Sequence, residues 1–213
     1  MRLNFDLIAF EAQLFGQTLD QTVIQIHSDA FGALAAGFER QNEGVAEWSE
    51  EDSDISKGQY EDFIRKGWMV QIRALTTMTF ALLAIQLLGF IKTTNRAFLA
   101  RHYQPCKTGK KETSEFLRIA AEYRECYGIE FNDLPGIETC REVVLARNAC
   151  IHSDCALSDA SMRRTARQFV GTDGQLILDK DTLAIATNDM KSFASALARV
   201  TRERVDAAKA LNS

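Results

Sequence analysis

The sequence predicts an all-α fold, a helical bundle with a small β-hairpin ahead of its last helix. Three observations carry that prediction. Only 2 of the 213 residues are proline, so the residue that most strongly breaks helices is nearly absent. Apolar side chains recur at helical spacing through residues 3 to 43 and again from Tyr60 to His102. A composition of 46% hydrophobic and 25% charged residues is enough for a full core in a soluble globular fold. A single domain over 1 to 213 is expected, with an N-terminal amphipathic arm at 1 to 43, an acidic loop at 44 to 59 and a core at 60 to 213.

The arm places Leu3, Leu7, Phe10, Leu14, Val23, Ile26, Ala30, Leu34 and Phe38 on a helical repeat, with breaks expected near Gly16 or Gly32. Its other face is mixed in charge, which favours core packing or a dimer contact over a membrane surface. His27 lies among Gln and Ser neighbours and is read as structural. Between 44 and 62 the acids Glu47, Glu50, Glu51, Asp52, Asp54, Glu61 and Asp62 face Lys57 alone, the pattern of a solvated loop joining two helices.

From Tyr60 to His102 one long helix is expected. Ala74 to Ile91 carries no charge over 18 residues, a length of about 27 Å that reaches the range of a membrane span. Thr76, Thr77, Thr79, Gln86 and Gly89 interrupt that stretch, and cations lie close to both its ends. A helix buried on most sides of a bundle or dimer is the better account, and no membrane partner is expected. Lys92, Arg96, Arg101, Lys107, Lys110 and Lys111 follow without an intervening acid. They are the best phosphate-contacting patch in the chain, because local cations release counterions from nucleic acid even when a protein is acidic overall. The competing reading is a solvated helix end and a loop, since cations at a helix C-terminus also answer the macrodipole.

A shorter helix is expected from Thr113 to Tyr127, capped by Thr113 or Ser114 and ended by Gly128. A loop through Asn132, Asp133, Pro135 and Gly136 leads into another helix beginning near Ile137. There Ile137, Cys140, Val143, Val144, Cys150 and Ile151 share one apolar sector with Arg147 near its middle. A guanidinium in that position needs an acid, a subunit interface or an entering anion. Beyond Ser153 a turn and a short helix over Met162 to Phe169 are expected, with a bend at Gly171 to Gly174. Leu176-Ile177-Leu178 and Leu183-Ala184-Ile185 form the predicted hairpin. Thr187 or Asn188 then caps a final helix to about Ala210.

The formal charge of −4 gives no global attraction to nucleic acid, so RNA binding has to come from a local patch. The five cysteines, at 106, 126, 140, 150 and 155, form no Cys-x2-Cys pair. Arg2, Asp6 and Glu11 interrupt the opening apolar residues, so no signal sequence is read there. Free thiols and a cytoplasmic location are expected.

The run Arg147-Asn148-Ala149-Cys150-Ile151-His152 resembles the Arg-polar-x3-His motif of HEPN domains. These are small helical proteins, many of them metal-independent endoribonucleases in toxin and defence systems. The likeness extends over roughly 60 to 210, through the long apolar helix before the motif, the Tyr-Gly-Ile-Glu-Phe connection at 127 to 131, and the turn-rich segment before a final helix. It implies catalytic roles for Arg147, Asn148 and His152, RNA as substrate, no cofactor, a homodimer that completes its sites across the interface, and an antitoxin or defence-system partner protein. Relatives often carry a glutamate on the preceding helix. Here the nearest polar residue of suitable length is Gln86.

The residues suit that chemistry. Cleaving RNA without metal needs a base for the 2'-hydroxyl proton, an acid for the leaving oxygen and a cation for the phosphate. A histidine serves either proton role, which points to His152. Arg147 can fork onto two phosphate oxygens, and Asn148 can orient the imidazole or the scissile group. Five residues on an unbroken helix turn about 140°, so the sequence implies that the helix ends between Arg147 and His152 or that two copies complete each other. A zinc site from Cys140, Cys150, His152 and Cys155 lacks the usual paired spacing. A Cys150 or Cys155 thiolate paired with His152 lacks an orienting group. A non-catalytic dimerisation or RNA-binding scaffold is the remaining alternative.

Overall fold

The computed structural model describes residues 6–47, 56–103, 114–153, 155, 167–170, 175–176 and 178–211. Its helices are α1 (Leu7–Thr18), α2 (Gln25–Ala46), α3 (Lys57–Ala97), α4 (Glu115–Tyr127), α5 (Ile137–Ser153) and α6 (Lys180–Leu211). The all-α class is as the sequence predicts. The features expected at 1–5, 48–55, 104–113, 154, 156–166, 171–174 and 177 lie outside the described residues.

The arm runs without a break at Gly16 or Gly32. It passes instead through a π-helical turn at Leu19–Ile24 that joins α1 to α2. Gly16 faces the Lys191 side chain, and Lys191 pairs with Asp20 of the π turn. The arm is therefore part of the bundle: α1 lies along α6, while α2 packs along α3. Trp68 of α3 holds the α2 contact, its ring 4.8 Å from that of Phe38 and 6.2 Å from that of Phe31.

Ser56 and Gln59 start α3 with a reciprocal capping box, satisfying donors that the first turn leaves free. The helix is 41 residues long and forms the spine of the fold. Its 18-residue apolar window makes it long and apolar enough to cross a membrane, and half of that window is buried inside the protein. Leu83, Leu87 and Ile91 of α3 meet Cys140, Val143 and Ala146 of α5 and Met190, Phe193 and Leu197 of α6 in one core.

Gly128 ends α4 as predicted, adopting a left-handed φ of 63° with its N–H on the Arg124 carbonyl. Gly136, φ 75°, precedes α5 and sits against the Asp189 backbone, where a Cβ would overlap the carbonyl oxygen. The start of α5 is thus fixed against the middle of α6, and Thr139 donates to the Asp189 carboxylate there.

The predicted hairpin is not present. Leu183, Ala184 and Ile185 belong to α6, and the strand pairing among the described residues is an isolated bridge between Val170 and Leu176. The final helix begins at Lys180, earlier than predicted, because Asp179 and Thr182 cap it reciprocally. The Asp179 carboxylate accepts from the Thr182 N–H at 2.8 Å, and the Thr182 hydroxyl accepts from the Asp179 N–H at 3.0 Å. Free thiols are also only part of the outcome: Cys140 is one, whereas Cys126 is disulfide-bonded, which removes one support for a reducing compartment.

Candidate functional site

The helix α5 continues through both Arg147 and His152 to Ser153, so the predicted break between them does not occur. On the wheel Asn148 lies between the two, about 100° from Arg147 and about 40° from His152. All three nevertheless line one groove of about 650 Å³, because its walls wrap that arc of the helix. Ala84, Ile85, Leu88, Gly89 and Lys92 of α3 form one wall, and Ser114, Glu115 and Phe116 at the start of α4 close one end. The juxtaposition needs no second chain.

Packing explains why this helix opens here. Its first half is buried through Ile137, Cys140, Val143 and Ala146. Farther along, the sector that remains apolar, at Ala149 and Cys150, still faces the core, while Arg147 and Asn148 are half-buried and His152 and Ile151 are exposed. Just past the helix, Cys155 turns back into the core with a positive φ of 60°. Its Sγ lies 2.7 Å from that of Cys150 and 3.2 Å from the Thr77 hydroxyl. That buried sulfur contact ties the end of the motif helix to α3.

The groove is cationic. Arg147 donates to the Asn148 amide oxygen at 2.9 Å. Lys92 of the predicted basic patch also lines it and meets the Glu115 carboxylate at 2.8 Å, with Arg118 at 3.6 Å from the same oxygen. The hydrogen bond from Lys92 holds the Glu115 carboxyl below the usual glutamate range against partial burial, helped by the charges of Lys92, Arg118 and Arg147. Glu115 is the acid of the groove: it pairs with Lys92 and Arg118 and lies near enough to Arg147 to feel its charge. Gln86, the polar residue that the sequence suggests for this place, does not line the groove, and Glu115 carries no signal in the sequence for it. An acid in the first turn of α4 reads as a dipole partner. Its role emerges only once α3, α4 and α5 are placed together.

The rest of the basic patch is divided. Arg96 is exposed one turn beyond Lys92 and is not part of the groove wall. Arg101 and His102 face a second depression with Asp6, Arg202, Asp206 and Lys209 at the far end of α6. Lys107, Lys110 and Lys111 lie outside the described residues. Among the described residues no group of three or more His, Cys, Asp and Glu side chains is placed to hold a metal ion.

Family models, curated proteins and solved structures were compared with the chain, and none matches. The chemistry of the groove accordingly rests on its own residues. Two cations and an imidazole flank an amide in a half-open cleft, a set that can bind a phosphodiester and move one proton beside it.

His27 contrasts with this site. It is buried, its Nδ1 is 3.0 Å from the Thr79 hydroxyl, and its ring stacks on Phe31 at 6.3 Å. Burial lowers its pKa below the usual histidine value, opposed by a hydrogen bond to the Leu178 backbone and by the Asp179 charge. The structural role read from the sequence fits a ring that joins α2, α3 and the cap of α6.

Proposed function

We propose that the groove binds RNA and that the chain is a metal-independent endoribonuclease of the HEPN type, acting as a cytoplasmic homodimer in a toxin or antiphage-defence setting. The observation that carries the reading is the convergence of Arg147, Asn148, His152 and Lys92 in one cleft. Arg147 and Lys92 would hold the non-bridging oxygens of the scissile phosphate. His152 would take the 2'-hydroxyl proton as the 2'-oxygen attacks phosphorus and the bond to the 5'-oxygen breaks. The products are a 2',3'-cyclic phosphate and a 5'-hydroxyl, and the leaving oxygen needs a proton from an acid. His152 of a second copy is the proposed acid.

An exposed apolar stripe supports a second copy. Phe63, Val70, Met78 and Ile85 recur at seven- and eight-residue steps on α3 with exposures of 73, 64, 41 and 61%. The stripe extends over roughly 33 Å and reaches the groove at Ile85. A patch of that kind on a soluble helix marks an interaction face. The same stripe favours the second reading, a non-catalytic HEPN dimerisation or RNA-binding scaffold that docks an antitoxin or defence partner.

Incubating total and transfer RNA in EDTA with wild type, His152→Ala and Arg147→Ala, while sizing each protein, separates the two. The proposal expects cleavage by a dimeric wild type and a loss of about 100-fold or more in both variants. Three inert proteins that remain dimeric would leave the scaffold as the function.

A further inference from the structure

We infer that Glu115 is a built-in occupant of the phosphate site, an intramolecular anion that RNA must displace from Lys92 before its backbone can seat in the groove. The inference rests on the RNA-binding reading of that groove. A single carboxylate here gathers Lys92 at 2.8 Å and Arg118 at 3.6 Å and lies within the field of Arg147. Lys92 belongs to α3 and Arg147 to α5, so the carboxylate does more than pair with Arg118 along its own helix. Two non-bridging phosphate oxygens have the charge and the fork geometry to take its place.

The contact has the features of an exchangeable one. The Glu115 side chain is 44% exposed and that of Lys92 36%, and ion pairs so open to water contribute little to stability. The Ser114 side chain makes no capping hydrogen bond that would fix the start of α4. Arg147 meanwhile spends one donor on the neutral amide oxygen of Asn148, and a guanidinium has five N–H donors to offer an incoming anion. With Glu115 paired, the cluster of Lys92, Arg118 and Arg147 is partly neutralised. With Glu115 displaced, Lys92 and Arg147, which line the groove, both face the ligand.

The consequence is a site that binds RNA more weakly than its cations alone would allow. Binding of a fluorescent single-stranded RNA oligonucleotide to the full-length protein, titrated across salt concentrations, tests this in wild type, Glu115→Gln, Glu115→Asp and Arg147→Ala. Glu115→Gln should bind roughly fivefold more tightly. Its plot of log affinity against log salt should steepen by about 0.7, the increment for one further phosphate contact on a single strand. Glu115→Asp, which keeps the charge, should follow wild type, and Arg147→Ala should bind more weakly. If Glu115→Gln binds as wild type does or more weakly while Arg147→Ala loses affinity, the groove binds RNA but Glu115 does not occupy its phosphate site. If none of the four binds RNA, both the inference and the reading beneath it fail.

Discussion

Lys92 and Asn95 stand three residues apart on α3 and serve two polar clusters of opposite character. Asn95 is buried, and each end of its amide is used: it donates to Glu122 at 2.8 Å and accepts from the Tyr127 hydroxyl at 2.8 Å. Tyr123 beside it donates to the Ile91 carbonyl at 2.8 Å, and burial pushes its phenol well above the ordinary tyrosine range. Every one of these contacts joins α4 to α3. Lys92 instead enters a half-open groove, where it shares the Glu115 carboxylate with Arg118 and Arg147 lines the same cleft. Satisfied donors and acceptors in the interior fix a structure. A surplus of charge at the surface is what a ligand can use.

Substitutions should therefore divide between stability and binding according to the cluster they touch. The largest loss of stability is expected at Gly136, whose positive φ and contact with the Asp189 backbone set where α5 begins. Gly136→Ala should cost about 3 kcal/mol or more in urea unfolding, since strained backbone and steric overlap add there. Asn95→Ala comes next. It leaves the Tyr127 hydroxyl and the Glu122 carboxylate without their partner, and a loss of about 2 kcal/mol follows.

The smallest effect belongs to His27 and appears as a pH dependence. Its pKa is lowered in the fold, so below about pH 6.5 the unfolded chain binds the proton more readily than the native state does. Stability is full above that value and declines as pH falls through the window down to the native pKa, with a slope no steeper than about 1.4 kcal/mol per pH unit. Unfolding measured between pH 7 and pH 5 should show this slope in wild type and lack it in His27→Gln.

How much of this was legible in the sequence follows from the range of the forces involved. The ends of α4 and the start of α5 could be read from local signals at Ser114, which takes the N-cap position without a capping hydrogen bond, and at Gly128 and Ile137, because end signals act within a few residues. The start of α6 could not. Apolar runs as short as Leu183-Ala184-Ile185 fit a strand or a buried helix equally, and the Asp179 to Thr182 turn that looked like a hairpin loop is the helix's first turn. In the site, Arg147, Asn148 and His152 were legible as a group because one helix carries them. Lys92 emerged from a charge run without its place in the groove. Glu115 was missed because its role depends on Lys92 of α3 and on the nearness of Arg147 on α5, and no spacing within α4 encodes that.

The most direct test pairs one residue from each cluster. RNA affinity and thermal unfolding would be measured side by side for Arg147→Ala and Asn95→Ala. The predicted result is at least a tenfold loss of affinity in Arg147→Ala, with a melting temperature within about 2 °C of wild type because Arg147 lines an open groove and its hydrogen bond is to the neighbouring Asn148 side chain. Asn95→Ala should melt about 4 to 8 °C lower and bind RNA as wild type does while folded. An Arg147→Ala protein that binds RNA unchanged would contradict the account, because the groove would then have no claim to the ligand.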